Sequence, residues 1–203
     1  MTSASTTTRE PGVRALNVQR TRRRLSVEGI RLIERQGFTR TTVDQIAEAA
    51  EVSQRTFFRY FPCKEALLFG GDRSYDHELS RLEFPPDGET LGQSLRHMAV
   101  SWESHGDAHQ QRRRRLRFEL QDAHPSIGLY LDDVLRRLEP QVIGAAARRL
   151  RVDATTDLRP LVVAQLHTAL CRLVVRRPPG DQTGFLDRWF DAAARVLRDI
   201  HDA

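Results

Sequence analysis

Between Thr41 and Leu67 the chain carries two short apolar-periodic segments separated by a three-residue break. This stretch narrows the possible folds more than any other. Val43, Ile46, Ala47 and Ala50 fall at i, i+3, i+4 and i+7, one face of an α-helix. Thr42 with Gln45 three residues on is a capping-box pattern that starts this helix. Glu51-Val52-Ser53 breaks the period, and Ser53 is a good N-cap for a second helix from Gln54 to Phe61. There Phe57 and Phe61 form an i, i+4 apolar pair, which leaves Gln54, Arg55, Thr56, Arg59 and Tyr60 for the outer side. Ala47 and Ala50 are small enough for a second helix to cross closely. Two short helices, a tight turn and small residues at the crossing make a helix-turn-helix.

The stretch upstream has its own period. A helix is expected from about Gln19 to Gln36, with Leu25, Ile30, Leu32 and Ile33 mostly toward one side and Gly37 placed to end it. Arg20, Arg22, Arg23 and Arg24 crowd its start. Positive charge is unfavourable at a helix N-terminus, so these arginines fit either a solvated basic end or a nearby phosphate. Total charge is less informative than its placement. Residues 1–64 hold 12 Lys+Arg against 6 Asp+Glu, whereas residues 65–203 hold 20 against 21. A basic excess confined to one end points to a polyanionic partner.

The second short helix has the chemistry to read that partner. Arginine pairs with guanine, glutamine with adenine, and a threonine methyl packs on that of thymine. Residues at the start of a recognition helix reach the bases, and Arg, Tyr and Lys further along suit phosphates.

The run from Thr41 to Leu67, including Arg55-Thr56-Phe57-Phe58-Arg59-Tyr60-Phe61-Pro62 and Lys64-Glu65-Ala66-Leu67, resembles the DNA-binding core of the tetracycline-repressor (TetR) family. Gln36-Gly37-Phe38 fits the end of that family's first helix. The resemblance covers roughly residues 19–68. It implies that Gln54, Arg55, Thr56 and Phe58 face bases, and that Thr42, Arg59, Tyr60, Lys64, Arg22 and Arg23 meet phosphates. Phe57 and Phe61 are expected in the core. Three positions depart from the family's pattern. Phe58 lacks the hydroxyl of the usual tyrosine. Glu51 fills a turn position that is commonly glycine, at a cost of about 1 kcal/mol if φ is positive. Cys63 replaces a Ser, Asn or Asp cap. A thiol at a helix N-terminus raises redox sensing as an alternative to an inert buried group.

The remaining two-thirds reads as helical throughout. Expected segments run from Lys64 to about Glu83, from Glu89 to Ser104, from Ala108 to Ala123, and from Pro125 onward, where Pro140 kinks or divides the helix. Phe84-Pro85-Pro86-Asp87-Gly88 is the clearest linker. Two apolar stripes close the chain, the first from Leu158 to Val174 and the second from Phe185 to Ile200. Core packing explains each stripe singly. The family resemblance implies that these helices also pair with their copies, with Leu166, Leu170, Leu173, Phe185, Trp189 and Val196 at a dimer interface. By the same resemblance the middle helices enclose an effector pocket, for which His97, Met98, Trp102, Phe118 and Tyr130 are candidates, each with plain core packing as the alternative. The chain is similar to the branch of the family near the mycofactocin-system regulator, and this implies an acyl-CoA-like effector. The Arg112–Arg115 run then suits either a CoA phosphate or a solvated basic face.

The expected class is therefore all-α. Residues 1–17 form a disordered tail, 18–64 a DNA-binding domain with its helix-turn-helix at 42–61, and 65–203 a larger effector-binding and dimerisation domain. Two cysteines, Cys63 and Cys171, make no disulfide framework, and a reduced cytoplasmic protein is expected. No apolar run approaches the ~18 residues of a membrane span. The chain holds no P-loop, GxGxxG, GxSxG or HExxH pattern. His105 and His109 have a helical metal-ligand spacing, but Gly106 and polar surroundings weaken it, so no metal, catalytic group or cofactor is expected. The reading is a homodimeric, ligand-released repressor on a near-palindromic double-stranded operator. Its rivals are an activator of the same fold and a helical small-molecule-binding protein or enzyme with a vestigial DNA-binding end.

Overall fold

The computed structural model describes residues 13–70, 76–104, 107–178 and 183–201. Among these residues the chain is all-α, and its contacts divide it into two compact units after Leu67. That division falls three residues beyond the expected domain boundary.

The first unit holds α1 (Val13–Gln36), α2 (Val43–Ala49) and α3 (Gln54–Tyr60). Helix α1 starts at Val13, so residues 13–17 are helical rather than part of a disordered tail. It stops at Gly37, whose φ of 85° favours glycine and whose N–H returns to Ile33 O at 2.8 Å. Thr42 and Gln45 form the full capping box of α2: Thr42 Oγ1 accepts from Gln45 N at 3.2 Å and Gln45 Oε1 from Thr42 N at 3.0 Å. Ser53 Oγ caps α3 through Thr56 N at 3.1 Å. Each such cap stabilises its helix by about 1 kcal/mol. Leu25, Ile30, Ile33, Ile46, Phe57 and Phe61 are buried together as the core of this unit. Gly29 lets α1 approach closely, since a Cβ there would lie 2.6 Å from Leu67 Cδ1 and 3.4 Å from Ile46 Cγ2.

The expected helix from Lys64 to Glu83 is not continuous. A 3-10 turn, Glu65–Leu68, is followed by Gly70 at φ 82°, and α4 spans Asp76–Glu83. The positive φ at Gly70 takes the chain out of helical geometry, so no regular helix passes through this point.

The second unit comprises α4, α5 (Leu91–Ser104), α6 (Ala108–Leu120), α7 (Pro125–Leu150), α8 (Arg159–Val175) and α9 (Thr183–His201). Helices α7 and α8 pack along one another, α4 lies on α7 and α5, and α5 also meets α8 and α9. Their shared core includes Leu82, Leu95, Met98, Val142, Leu170 and Leu186. Helix α7 continues through Pro140 as one element instead of dividing there. Val142 and Ala145 on its buried face join the core, and this tertiary burial outweighs the lost backbone bond.

The linker after α4 is held by polar contacts. Arg149 donates to Leu82 O at 3.2 Å, Glu89 O at 2.6 Å and Ser94 Oγ at 2.6 Å. Arg81 donates to both carboxylate oxygens of Glu89, and Ser94 Oγ donates to the same group at 2.6 Å. Burial opposes ionisation of Glu89, but hydrogen bonds from Ser94, Arg81 and His97 outweigh it and bring its pKa to about 2.

On the buried face of α8, His167 Nε2 lies 3.4 Å from Cys171 Sγ. Burial pushes the His167 pKa down to about 4. The unfolded chain therefore binds the proton more readily than the folded one, and stability is lost as pH falls from about 6.5 toward 4. Denaturant melts should show His167 contributing about 2 kcal/mol to the loss of stability between pH 7 and pH 5. His167→Gln should remove that part of the pH dependence.

Candidate nucleic-acid interface

Helix α3 is fixed by its aromatic face. Phe57 and Phe61 are fully buried, with ring centroids 5.7 Å apart. Phe58 stands edge-on to Phe57 at 5.5 Å and is itself about half exposed. With that face committed, Gln54, Arg55 and Arg59 are exposed and Tyr60 is half-buried. Arg59 stacks on its neighbour, with its guanidinium 5.0 Å from the Tyr60 ring centroid and 3.3 Å from the hydroxyl. Thr56 is half-buried and its hydroxyl lies 3.0 Å from Ser53 Oγ, so the hydroxyl serves the cap. Thr42 is exposed at the start of α2, where its oxygen accepts from Gln45 N while its O–H proton can still be donated. Arg22 lies 5.8 Å over the Phe61 ring, and Arg23 is exposed one residue on.

Lys64 takes a different place from the one the resemblance implies. Its ammonium donates to Phe38 O at 2.6 Å and Thr41 O at 2.8 Å, and sits 4.1 Å from the Phe38 ring centroid. Burial lowers its pKa. Two of its three N–H groups thus tie the segment before α2 to the turn after α3. This lysine positions Thr42 and the α2 N-terminus through the backbone.

Glu51 adopts φ 50°, the left-handed geometry that glycine would take without strain. Its carboxylate receives Arg24 of α1 at 2.6 Å, a contact the sequence pattern did not reveal. Both side chains are substantially exposed, and exposed pairs contribute only ~0–1 kcal/mol. Cys63 is half-buried, and burial raises its pKa to about 11 despite backbone N–H groups of Ala66 and Glu65 reaching the sulfur. Burial thus favours the protonated thiol, the reverse of the lowered pKa that a thiol at a helix N-terminus can have.

The effector-pocket candidates do not gather. Met98 belongs to the shared core of the second unit, whereas Tyr130 packs on Phe69 at 5.3 Å. Phe118 is half-buried, and the Trp102 side chain lies outside the described residues. His97 is exposed and is drawn into the Arg81–Glu89 network at 2.9 Å from Arg81, so it is not a pocket wall. A groove of about 450 Å³ does lie between α7 and α8, lined by Leu129, Asp132, Arg136, Glu139, Gln165 and Arg172 among others. None of the four candidates whose side chains are described borders it. The Arg112–Arg115 run is mixed: Arg112 and Arg115 are exposed and Arg113 is half-buried. Arg114 and Arg117 are buried, and Arg117 lies 5.2 Å over the Phe69 ring.

The proposed interface residues separate as well. Leu170 is fully buried within its own subunit, because the inner stripe of α8 serves the core. Leu166, Phe185 and Trp189 are half-buried against that core, and the Val196 side chain lies outside the described residues. Leu173 is exposed, together with Leu158, Leu161 and Val162 on the same helix or its N-cap. The His105–His109 spacing cannot be assessed because His105 lies outside the described residues. No group of three metal-ligating side chains occurs among the described residues. No helix among them is long and apolar enough to cross a membrane.

The structure thus defines a helix-turn-helix protein with an added helical unit, and comparison with known proteins makes the class specific. The profile of the bacterial regulatory proteins of the tetR family matches residues 27–70. The regulator TcmR of Streptomyces glaucescens is 42% identical over 94 residues, which is 46% of this chain and 42% of TcmR. MftR of Mycobacterium tuberculosis, assigned as a mycofactocin biosynthesis transcriptional regulator, is 30% identical over 69% of this chain and 70% of its own length. Among solved structures, Salmonella enterica GusR matches at a TM-score of 0.46 and 17% identity, covering 76% of this chain and 82% of GusR. A structure assigned as a TetR-family regulator of Mesorhizobium loti matches at 0.48 and 16%, covering 90% and 97%.

The chain belongs to the TetR family: it is a DNA-binding transcriptional regulator and not an enzyme.

Two substitutions should test the local geometry. Lys64→Met should destabilise the protein by about 2 kcal/mol in denaturant melts, because Phe38 and Thr41 lose a charged donor. Glu51→Gly should raise stability by up to about 1 kcal/mol by relieving the left-handed strain.

Proposed function

We propose that this regulator is a homodimeric repressor that binds a near-palindromic operator and is released by a small molecule. The observation that carries the reading is α3: its aromatic face is locked into the core, and its opposite face presents Gln54 and Arg55 at the helix start. Arg55 suits the O6 and N7 acceptors of guanine, and Gln54 the N6 and N7 edge of adenine. Phe58 offers apolar contact beside them. Thr42, Arg59, Tyr60, Arg22 and Arg23 would take phosphates, and the third N–H of Lys64 is its remaining capacity for one.

Dimerisation fits such a helix, since two copies meet two half-sites about one turn of DNA apart. The exposed Leu158, Leu161, Val162 and Leu173 on and beside α8 supply an apolar surface for the second copy, in place of the buried Leu170. Ligand bound within the second unit would favour a spacing of the two α3 helices that no longer fits successive major grooves. A tenfold release needs only about 1.4 kcal/mol of coupling. Acyl-CoA-like molecules, the effector class that the sequence resemblance implies, are the first to test, and the cytoplasm is the fitting compartment.

Fluorescence anisotropy on the upstream intergenic DNA and on a shuffled duplex tests this reading. Specific binding saturating at two or four subunits per site, and falling on addition of effector, is expected. Equal binding to both duplexes would contradict it. Arg55→Ala should cost roughly tenfold to a hundredfold in discrimination at one base pair of each half-site. Leu161→Arg should shift the protein to the monomer mass in light scattering and weaken operator binding.

A further inference from the structure

Glu51 is an acidic side chain three residues before Gln54, at the front of the base-reading helix. It adopts a strained backbone geometry there, is largely exposed, and the contact of its carboxylate is Arg24 at 2.6 Å. The strain and the exposed pair are of similar small size, so the pair gives the fold little net stability. Its effect is electrostatic. Arg24 lies midway along α1, where exposed Arg20 and Arg23 accompany it. A carboxylate beside a guanidinium occupies one of its donors and offsets its charge, so the arginine attracts a phosphate less strongly.

We propose that Glu51 tunes how tightly the protein holds DNA: by pairing with Arg24 it weakens the attraction of that arginine for the DNA backbone. Phosphate contacts raise affinity for every sequence alike, whereas base contacts distinguish operator from bulk DNA. Weakening one cation of the phosphate-binding set lowers affinity for every sequence alike and leaves Gln54 and Arg55 untouched. The inference rests on the DNA-binding assignment and adds a role for the turn.

The test is anisotropy of the full-length protein on a shuffled duplex and on the operator across a salt series. Glu51→Gly should raise affinity for the shuffled duplex roughly threefold to tenfold at about 50 mM salt. It should also steepen the log–log salt slope by about 0.9, the value of one added phosphate contact. Glu51→Gln, which keeps the left-handed strain and removes the charge, should do the same, so a change in backbone freedom is not the cause. Arg24→Ala in either background should abolish the gain.

An unchanged slope in both Glu51 variants would overturn the proposal. So would a gain that persists in the Glu51→Gly/Arg24→Ala double variant, since Glu51 would then act on phosphate without Arg24. Thermal melts of each variant confirm folding. Failure of the repressor reading looks different: the parent protein would show no operator preference, while the shuffled-duplex comparison would still read the release of Arg24.

Discussion

The burial of Phe57 and Phe61 is the constraint on which the DNA-reading half of the molecule depends. A seven-residue helix has too few backbone hydrogen bonds to hold itself in water. Its position is supplied by two aromatic rings one turn apart, both sunk in the core with Leu25, Ile30, Ile33 and Ile46. Each buried ring contributes roughly 1.5–3 kcal/mol. Because the rings fix the rotation of α3 about its own axis, Gln54 and Arg55 have only one direction left to face. The caps at Thr42 and Ser53 and the Lys64 clasp then set where the two short helices begin and how they meet.

The helix-turn-helix was legible because its signals are local. Capping residues, a three-residue break and an i, i+4 aromatic pair act within one or two turns, and each works in the folded chain as its chemistry requires. The positive φ at Glu51 was suggested only by the family resemblance, in which glycine is common at that turn position. Long-range contacts were not legible. Nothing in the spacing of Lys64 marks it as a donor to carbonyls 26 and 23 residues earlier, and nothing in Arg24 marks Glu51 as its partner. Pro140 does not divide α7, because the burial of that helix's inner face outweighs the lost backbone bond. Leu170 misled because both faces of α8 are apolar, and periodicity alone does not say which one stays inside the subunit.

The second unit relies on polar groups more than its apolar stripes imply. Arg149 and Glu89 hold the linker between α4 and α5 through backbone as well as side-chain contacts. His167 is buried in its neutral form on the inner face of α8. Arg114 and Arg117 of α6 are taken out of water, whereas Arg112 and Arg115 beside them stay exposed. Such groups make the packing specific, since a shifted helix leaves a buried polar atom without its partner. A unit of this kind suits a regulator that must hold defined arrangements rather than a continuum.

The central claim is that α3 reads base edges from a pair of symmetric half-sites. Hydroxyl-radical footprinting of the upstream DNA, combined with guanine N7 methylation interference, tests it most directly. The account predicts two protected segments about one helical turn apart. It also predicts interference at a guanine in each half-site that disappears in Arg55→Ala. Protection without symmetry, or interference that Arg55→Ala leaves in place, would contradict it.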